Sequence, residues 1–146
     1  MKRILLALLP ATAWAQDRPN VIWLMADDLG YGDLSCYGAT RIHTPNIDRV
    51  AQEGVRFTDM HACASTSTPS RYGILTGEYP FCHPRTDVAA GDASIIIWPQ
   101  QYTLADMMQS VGYRTGAFGK WHLGLGSRTG QQDWNGKIDV GPDSLG

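Results

Sequence analysis

Residues 20–26, Asn-Val-Ile-Trp-Leu-Met-Ala, form a nearly continuous apolar run in a chain of 146 residues. A strand with one wet face alternates apolar and polar positions, whereas an unbroken apolar run is buried on both faces. The run therefore predicts a central strand of a parallel sheet. It stops at Asp27-Asp28-Leu29-Gly30. Adjacent carboxylates at the carboxyl end of a buried strand stand where open α/β sheets bind ligands. Their oxygens are the donors that a hard cation such as Ca²⁺ or Mg²⁺ takes. A solvated Asp pair opening a turn has the same local pattern, so the pair alone does not assign a metal.

Residues 30–43 are Gly-rich and irregular, with Asp33 read as a turn residue. Residues 44–54 carry a cap at Thr44, Pro45 at the first helical position, apolar positions at 47, 50 and 51, and a terminal Gly54. This is the pattern of a short amphipathic helix. Residues 55–60 alternate enough for a strand, which delivers the chain to His61, read as a structural loop histidine. Residues 78–91 are loop-like, and nothing local decides whether Arg85 and Thr86 face a substrate. Ile95-Ile96-Ile97-Trp98 is apolar and short, without a signal that places it. Thr103 and Asp106 have the spacing of a capping box. Leu104, Met107, Met108 and Val111 then recur at helical spacing up to Gly112. Methionines in such a stripe are core residues. Residues 113–118 read as the next strand. Residues 125–146 are loop, and Gly124-Leu125-Gly126 lacks the third glycine and the following helix of a nucleotide-binding turn.

Between these elements lies Ser67-Thr68-Pro69-Ser70-Arg71-Tyr72-Gly73-Ile74-Leu75-Thr76-Gly77. Pro69 suits a first helical position, Ser67 or Thr68 can cap the exposed amides, and Gly77 can end the helix at positive φ. A helix start presents N–H groups and partial positive charge to an anion. Arg71 adds a permanent cation with forked donors. A serine at such a mouth is a candidate nucleophile for an anionic substrate, although Ser/Thr/Pro clusters also serve as plain turns.

Composition limits the partners. An apolar content of 43% with five Trp fits a globular chain. The net charge of −2 comes without a basic patch, so nucleic acid is not expected. Lys2 and Arg3, the apolar run 4–9 and Ala13-Trp14-Ala15 together read as a signal peptide over residues 1–15, too short in its apolar part to span a bilayer. Export to the periplasm or beyond, without stable membrane insertion, follows. In an oxidising compartment Cys36, Cys63 and Cys82 can pair, and with three one is left over.

Three motifs then point the same way. Ser67-x-Pro69-x-Arg71 followed by Leu75-Thr76-Gly77 closely resembles the signature of the type I sulfatases. Asp27-Asp28-Leu29-Gly30-Tyr31-Gly32-Asp33 is similar to that family's opening motif, and Thr44-Pro45-Asn46-Ile47-Asp48 to the helix after it. Gly119-Lys120-Trp121-His122-Leu123-Gly124 is the second strong match, and residues 134–142 a weak one. The resemblance implies an α/β, alkaline-phosphatase-like fold over residues 16–146, a mixed and largely parallel sheet with flanking helices.

It also implies a chemistry. The first signature position, Cys or Ser in the family, is oxidised to formylglycine, whose hydrate is the nucleophile; here that position is Ser67. Asp27, Asp28 and the modified residue 67 hold a divalent metal, Ca²⁺ or alternatively Mg²⁺. Arg71 and Lys120 offset charge on the nucleophile and the sulfate oxygens. His122 takes a proton from the second hydroxyl, which expels sulfate. An unmodified serine would form a sulfate ester with no such exit. The substrate implied is a sulfated glycan or another sulfate ester, and a serine-type site implies a radical-based maturase acting before export. Family members carry further metal ligands and a later His and Lys downstream. The resemblance thus reads this chain as a truncated N-terminal part with little or no activity alone. Two other readings stand beside it: a phosphate or phosphonate ester hydrolase on the same scaffold, and a non-catalytic exported binder of metal or sulfated sugar.

Overall fold

In the computed structural model, residues 18–127, 133 and 135–146 are described. The expected signal peptide, 1–15, and Trp134 lie outside them. The chain divides into two compact units, Met1–Gly30 and Tyr31–Gly146.

In the described part of the first unit, the apolar run does not form a strand. Val21, Ile22, Trp23 and Leu24 are exposed by 62%, 81%, 63% and 89%. The expected strands at 55–60 and 113–118 are likewise absent, and Phe118 is fully exposed. A strand exists only by pairing its N–H and C=O groups with a neighbour. Among the described residues a parallel bridge joins Ser94 and Leu125.

The second unit is helical. Pro45–Glu53 is α1, with Pro45 at the first turn. Thr44 does not cap its amides; its hydroxyl bonds instead to Asp48 Oδ1 at 3.1 Å and accepts from the Ser35 amide at 3.0 Å. Asp48 also accepts from the Ser35 hydroxyl at 2.6 Å and the Cys36 amide at 2.8 Å. These bonds pin the short 3-10 turn Ser35–Tyr37 to α1, and they hold the Asp48 carboxyl below its ordinary range, the Ser35 hydroxyl most of all. Ser67–Thr76 is α2, closed by Gly77 at φ 70°. Leu104–Ser110 is α3, with the expected capping box: Thr103 Oγ1 accepts from the Asp106 amide and the Asp106 carboxylate accepts from the Thr103 amide.

The core sits where the sequence left a segment unplaced. Ile95, Ile96 and Ile97 cluster with Tyr72 of α2, Leu123 and Leu145, all at most 5% exposed. Ile96 N–H donates to Leu123 O at 3.0 Å and Leu125 N–H to Ala93 O at 3.1 Å. Segment 94–97 and the end of the Lys-Trp-His-Leu-Gly motif thus run side by side, and α2 packs on them. This contact brings the two motifs together. Beneath it, the Tyr72 hydroxyl donates to Glu78 Oε2 at 2.8 Å and accepts from Gln101 Nε2 at 2.7 Å.

Candidate active site

Ser67 is the first residue of α2 and half-buried. Arg71 lies four residues on, so the two side chains share one face of the helix. Arg71 Nε–H donates to Ser67 Oγ at 2.9 Å, and its Nη1 donates to the main-chain oxygen of Lys120. The forked guanidinium therefore ties the helix start to the second motif as it faces the hydroxyl.

His122 completes the arrangement from 55 positions away, its Nδ1 3.0 Å from Ser67 Oγ. Its Nε2 lies 3.0 Å from Ala89 O. A carbonyl only accepts, so Nε2 carries the hydrogen. In the neutral ring Nδ1 is then the acceptor, and it takes the Ser67 O–H. Ser67 Oγ thus accepts from a cation and donates to a base. That pairing raises the nucleophilicity of a hydroxyl and gives its proton a destination.

The start of α2 differs from the expected caps. The residue before α2 is Thr66, which makes no side-chain cap bond, and Pro69 is the third helical residue, not the first. A proline there still removes only an amide with no intrahelical partner. Ser67 and Thr68 do not cap because their hydroxyls are committed elsewhere: Ser67 to His122, and Thr68 to His122 O at 2.9 Å.

The other sequence candidates separate clearly. Lys120 is exposed and contributes its carbonyl to Arg71. Asp27 and Asp28 belong to the first unit, and Ser67, Arg71 and His122 to the second. Asp28 adopts φ 59°, a left-handed turn that Asp tolerates. Two adjacent carboxylates are hard donors and fit a divalent cation in kind. Among the described residues no group of three or more His, Cys, Asp or Glu is gathered to hold one. Arg85 bonds the hydroxyl and main chain of Ser94, and Thr86 is buried, its hydroxyl donating to Pro80 O. His61 pairs with Asp59 in solvent. The three cysteines are free.

Two members of the site escaped the sequence. Thr68 resembles a cap and acts through the main chain of His122 and Ala89. Ala89 contributes only its peptide, for which no residue type is a signal.

A hydroxyl at a helix start is thus flanked by a guanidinium and an imidazole. Comparison gives the family: residues 19–141 match the Sulfatase family, and the chain belongs to it. It is 53% identical over 129 residues to an N-acetylgalactosamine-6-O-sulfatase of Bacteroides thetaiotaomicron, covering 88% of this chain and 25% of that one. It is 42% identical over 128 residues to human arylsulfatase A, covering 86% and 25%, and 44% identical over 135 residues to mouse steryl-sulfatase, covering 86% and 21%. A solved structure reported on the metabolism of multiple glycosaminoglycans by Bacteroides thetaiotaomicron superposes with a TM-score of 0.84 at 53% identity. It covers 88% of this chain and 27% of that one. The chain therefore superposes on part of a sulfatase structure, a relative that implies the alkaline-phosphatase-like fold. This chain spans about a quarter of the length of the curated relatives it matches.

Proposed function

We propose that the chain supplies the nucleophile region of a sulfuric ester hydrolase acting on a sulfated glycan. The observation that carries this is the seating of Ser67 Oγ between Arg71 Nε and His122 Nδ1. Family membership and the sulfatase names of the relatives support the ester class. The name of the bacterial relative, an N-acetylgalactosamine-6-O-sulfatase, supports a carbohydrate substrate.

In this reading residue 67 is converted to formylglycine by a maturase, and its hydrated aldehyde supplies the attacking hydroxyl. The residues of the chain do the rest. Arg71 orients residue 67 and, with Lys120, offsets negative charge on the sulfate oxygens. His122 holds the proton released from residue 67 at Nδ1. Its Nε2–H stays on Ala89 O, so the ring cannot turn away as it becomes charged. Asp27 and Asp28 are the carboxylates for a divalent cation, Ca²⁺ before Mg²⁺, which when bound polarises an ester oxygen. The sheet of the whole domain, mixed and largely parallel, would take residues 20–26 as a central strand. The basic start and the Ala-x-Ala of residues 1–15 support export as a periplasmic or secreted protein. Among the described residues no helix is long and apolar enough to cross a membrane.

The test uses the full-length protein purified from its native host, assayed on an aryl sulfate, a sulfated glycan and an aryl phosphate. Sulfate release that disappears in Ser67→Ala supports the reading. Preferred phosphate release moves the assignment to an ester hydrolase of phosphorus. Binding of sulfated sugar without turnover makes the protein a binder.

A further inference from the structure

Thr68 is fully buried although it lies beside the reactive Ser67. Its hydroxyl donates to His122 O at 2.9 Å and accepts from Ala89 N–H at 3.0 Å. The other side of Ala89, its carbonyl, faces His122 Nε2 at 3.0 Å. The three residues therefore close a ring: Thr68 hydroxyl to His122 carbonyl, His122 imidazole to Ala89 carbonyl, Ala89 amide to Thr68 hydroxyl. Each polar group in it is satisfied by another member.

His122 also sits at φ 58°, a left-handed conformation that a side-chain-bearing residue holds only when its surroundings enforce it. The Thr68 bond falls on the carbonyl of that residue. From these observations we infer that Thr68 is a positioning residue for His122. Together with the Ala89 peptide it fixes the imidazole as the Nε2–H tautomer, with the bare Nδ1 directed at position 67. Because Thr68 follows Ser67 directly in α2, the nucleophile and the device that aims its base share one rigid helix start. No covalent step is involved. This inference deepens the proposed function, since an aimed base matters only if residue 67 reacts.

The device is tested by ¹⁵N NMR of the imidazole ring nitrogens, with His122 assigned by comparison with His122→Gln, at alkaline pH where an imidazole is neutral. The wild type is expected to show the Nε2–H form of His122 alone. Thr68→Val keeps the shape and removes the hydroxyl; it should give a mixture of both tautomers and lose the exchange protection of the Ala89 amide. Thr68→Ser keeps the hydroxyl and should restore both. An Nδ1–H form in the wild type overturns the inference without any variant, and so does an unchanged single tautomer in Thr68→Val. If Thr68→Val does not fold, Thr68→Ala against Thr68→Ser gives the same comparison. The readout needs neither turnover nor modification of Ser67. An unmodified Ser67 would therefore sink the sulfatase reading and leave the tautomer result standing.

Discussion

Gly124 joins the core to the site, and replacing it by alanine is a sharp probe of both. Its φ is 68°, and a Cβ there would overlap the Ser94 carbonyl, 2.5 Å from its carbon and 2.9 Å from Ala93 O. Left-handed alanine costs about 1–2 kcal/mol. Relieving an overlap in a packed segment costs about 1–3 kcal/mol more. Restricting the unfolded chain returns about 0.4–1 kcal/mol. Gly77 is the control: its φ is 70°, and a Cβ there meets nothing within 4 Å. Gly77→Ala carries the backbone cost alone, so the two variants differ by the overlap, about 1–3 kcal/mol. With a urea slope of about 1–3 kcal/mol per molar, Gly124→Ala should unfold roughly 1 M earlier than Gly77→Ala. The overlap would be relieved at the Ile96 to Leu123 and Leu125 to Ala93 bonds, whose members Leu123 and Leu125 lie one and three residues from His122, so the His122 ring should shift as well. Coincident urea midpoints for the two variants would refute the close approach of segments 94–97 and 123–125.

Arg71→Lys keeps the charge and loses the fork that reaches both Ser67 and Lys120 O. Turnover of aryl sulfate by the native-host protein should fall by about 10²-fold, the scale of one lost transition-state donor, with folding unchanged. Tyr72→Phe removes the hydroxyl from the Glu78–Gln101 pair and should cost about 1 kcal/mol in urea unfolding. Burial, the largest cause, raises the Tyr72 ionisation. Its contribution is therefore full below the ordinary tyrosine value near 10 and is lost as pH rises through the higher folded value, a loss that Tyr72→Phe should lack. Asp48 is shifted the other way, chiefly by the Ser35 hydroxyl. Its contribution is present above the ordinary value near 3.9 and is lost as pH falls through the lower folded one, so Asp48→Asn should flatten the acid limb of the stability curve. Chelation should abolish turnover in the native-host protein and added Ca²⁺ restore it, whereas Asp27→Asn should stay inactive at the same Ca²⁺ concentration.

Local chemistry was legible where it acts locally. Pro45 starts α1, the Thr103 and Asp106 pair starts α3, and Gly77 stops α2, all within one turn of the residues that cause them. The caps of α1 and α2 misled for a common reason. Hydroxyls of Thr44, Ser67 and Thr68 have the reach to cap, but distant partners at Ser35, His122 and Ala89 win them. Apolar pattern reports what a segment would bury and not whether a neighbour pairs with it; residues 20–26 carry the pattern and lack the ladder. The site followed the same division. Ser67 and Arg71 meet because helical spacing brings them together, as their four-residue separation indicates. That His122 meets them depends on Ile96 lying against Leu123, a contact no single stretch encodes. Ala89 was invisible because its contribution is a peptide group.

In the proposed function everything turns on position 67 carrying the nucleophile of a sulfatase. The most direct measurement is a mass spectrum of the tryptic peptide spanning residues 57–71, from protein made in its native host. A loss of two hydrogens located at Ser67, the signature of formylglycine, is expected. Full recovery of the peptide with an intact serine, from cells in which the maturase is present, would contradict it.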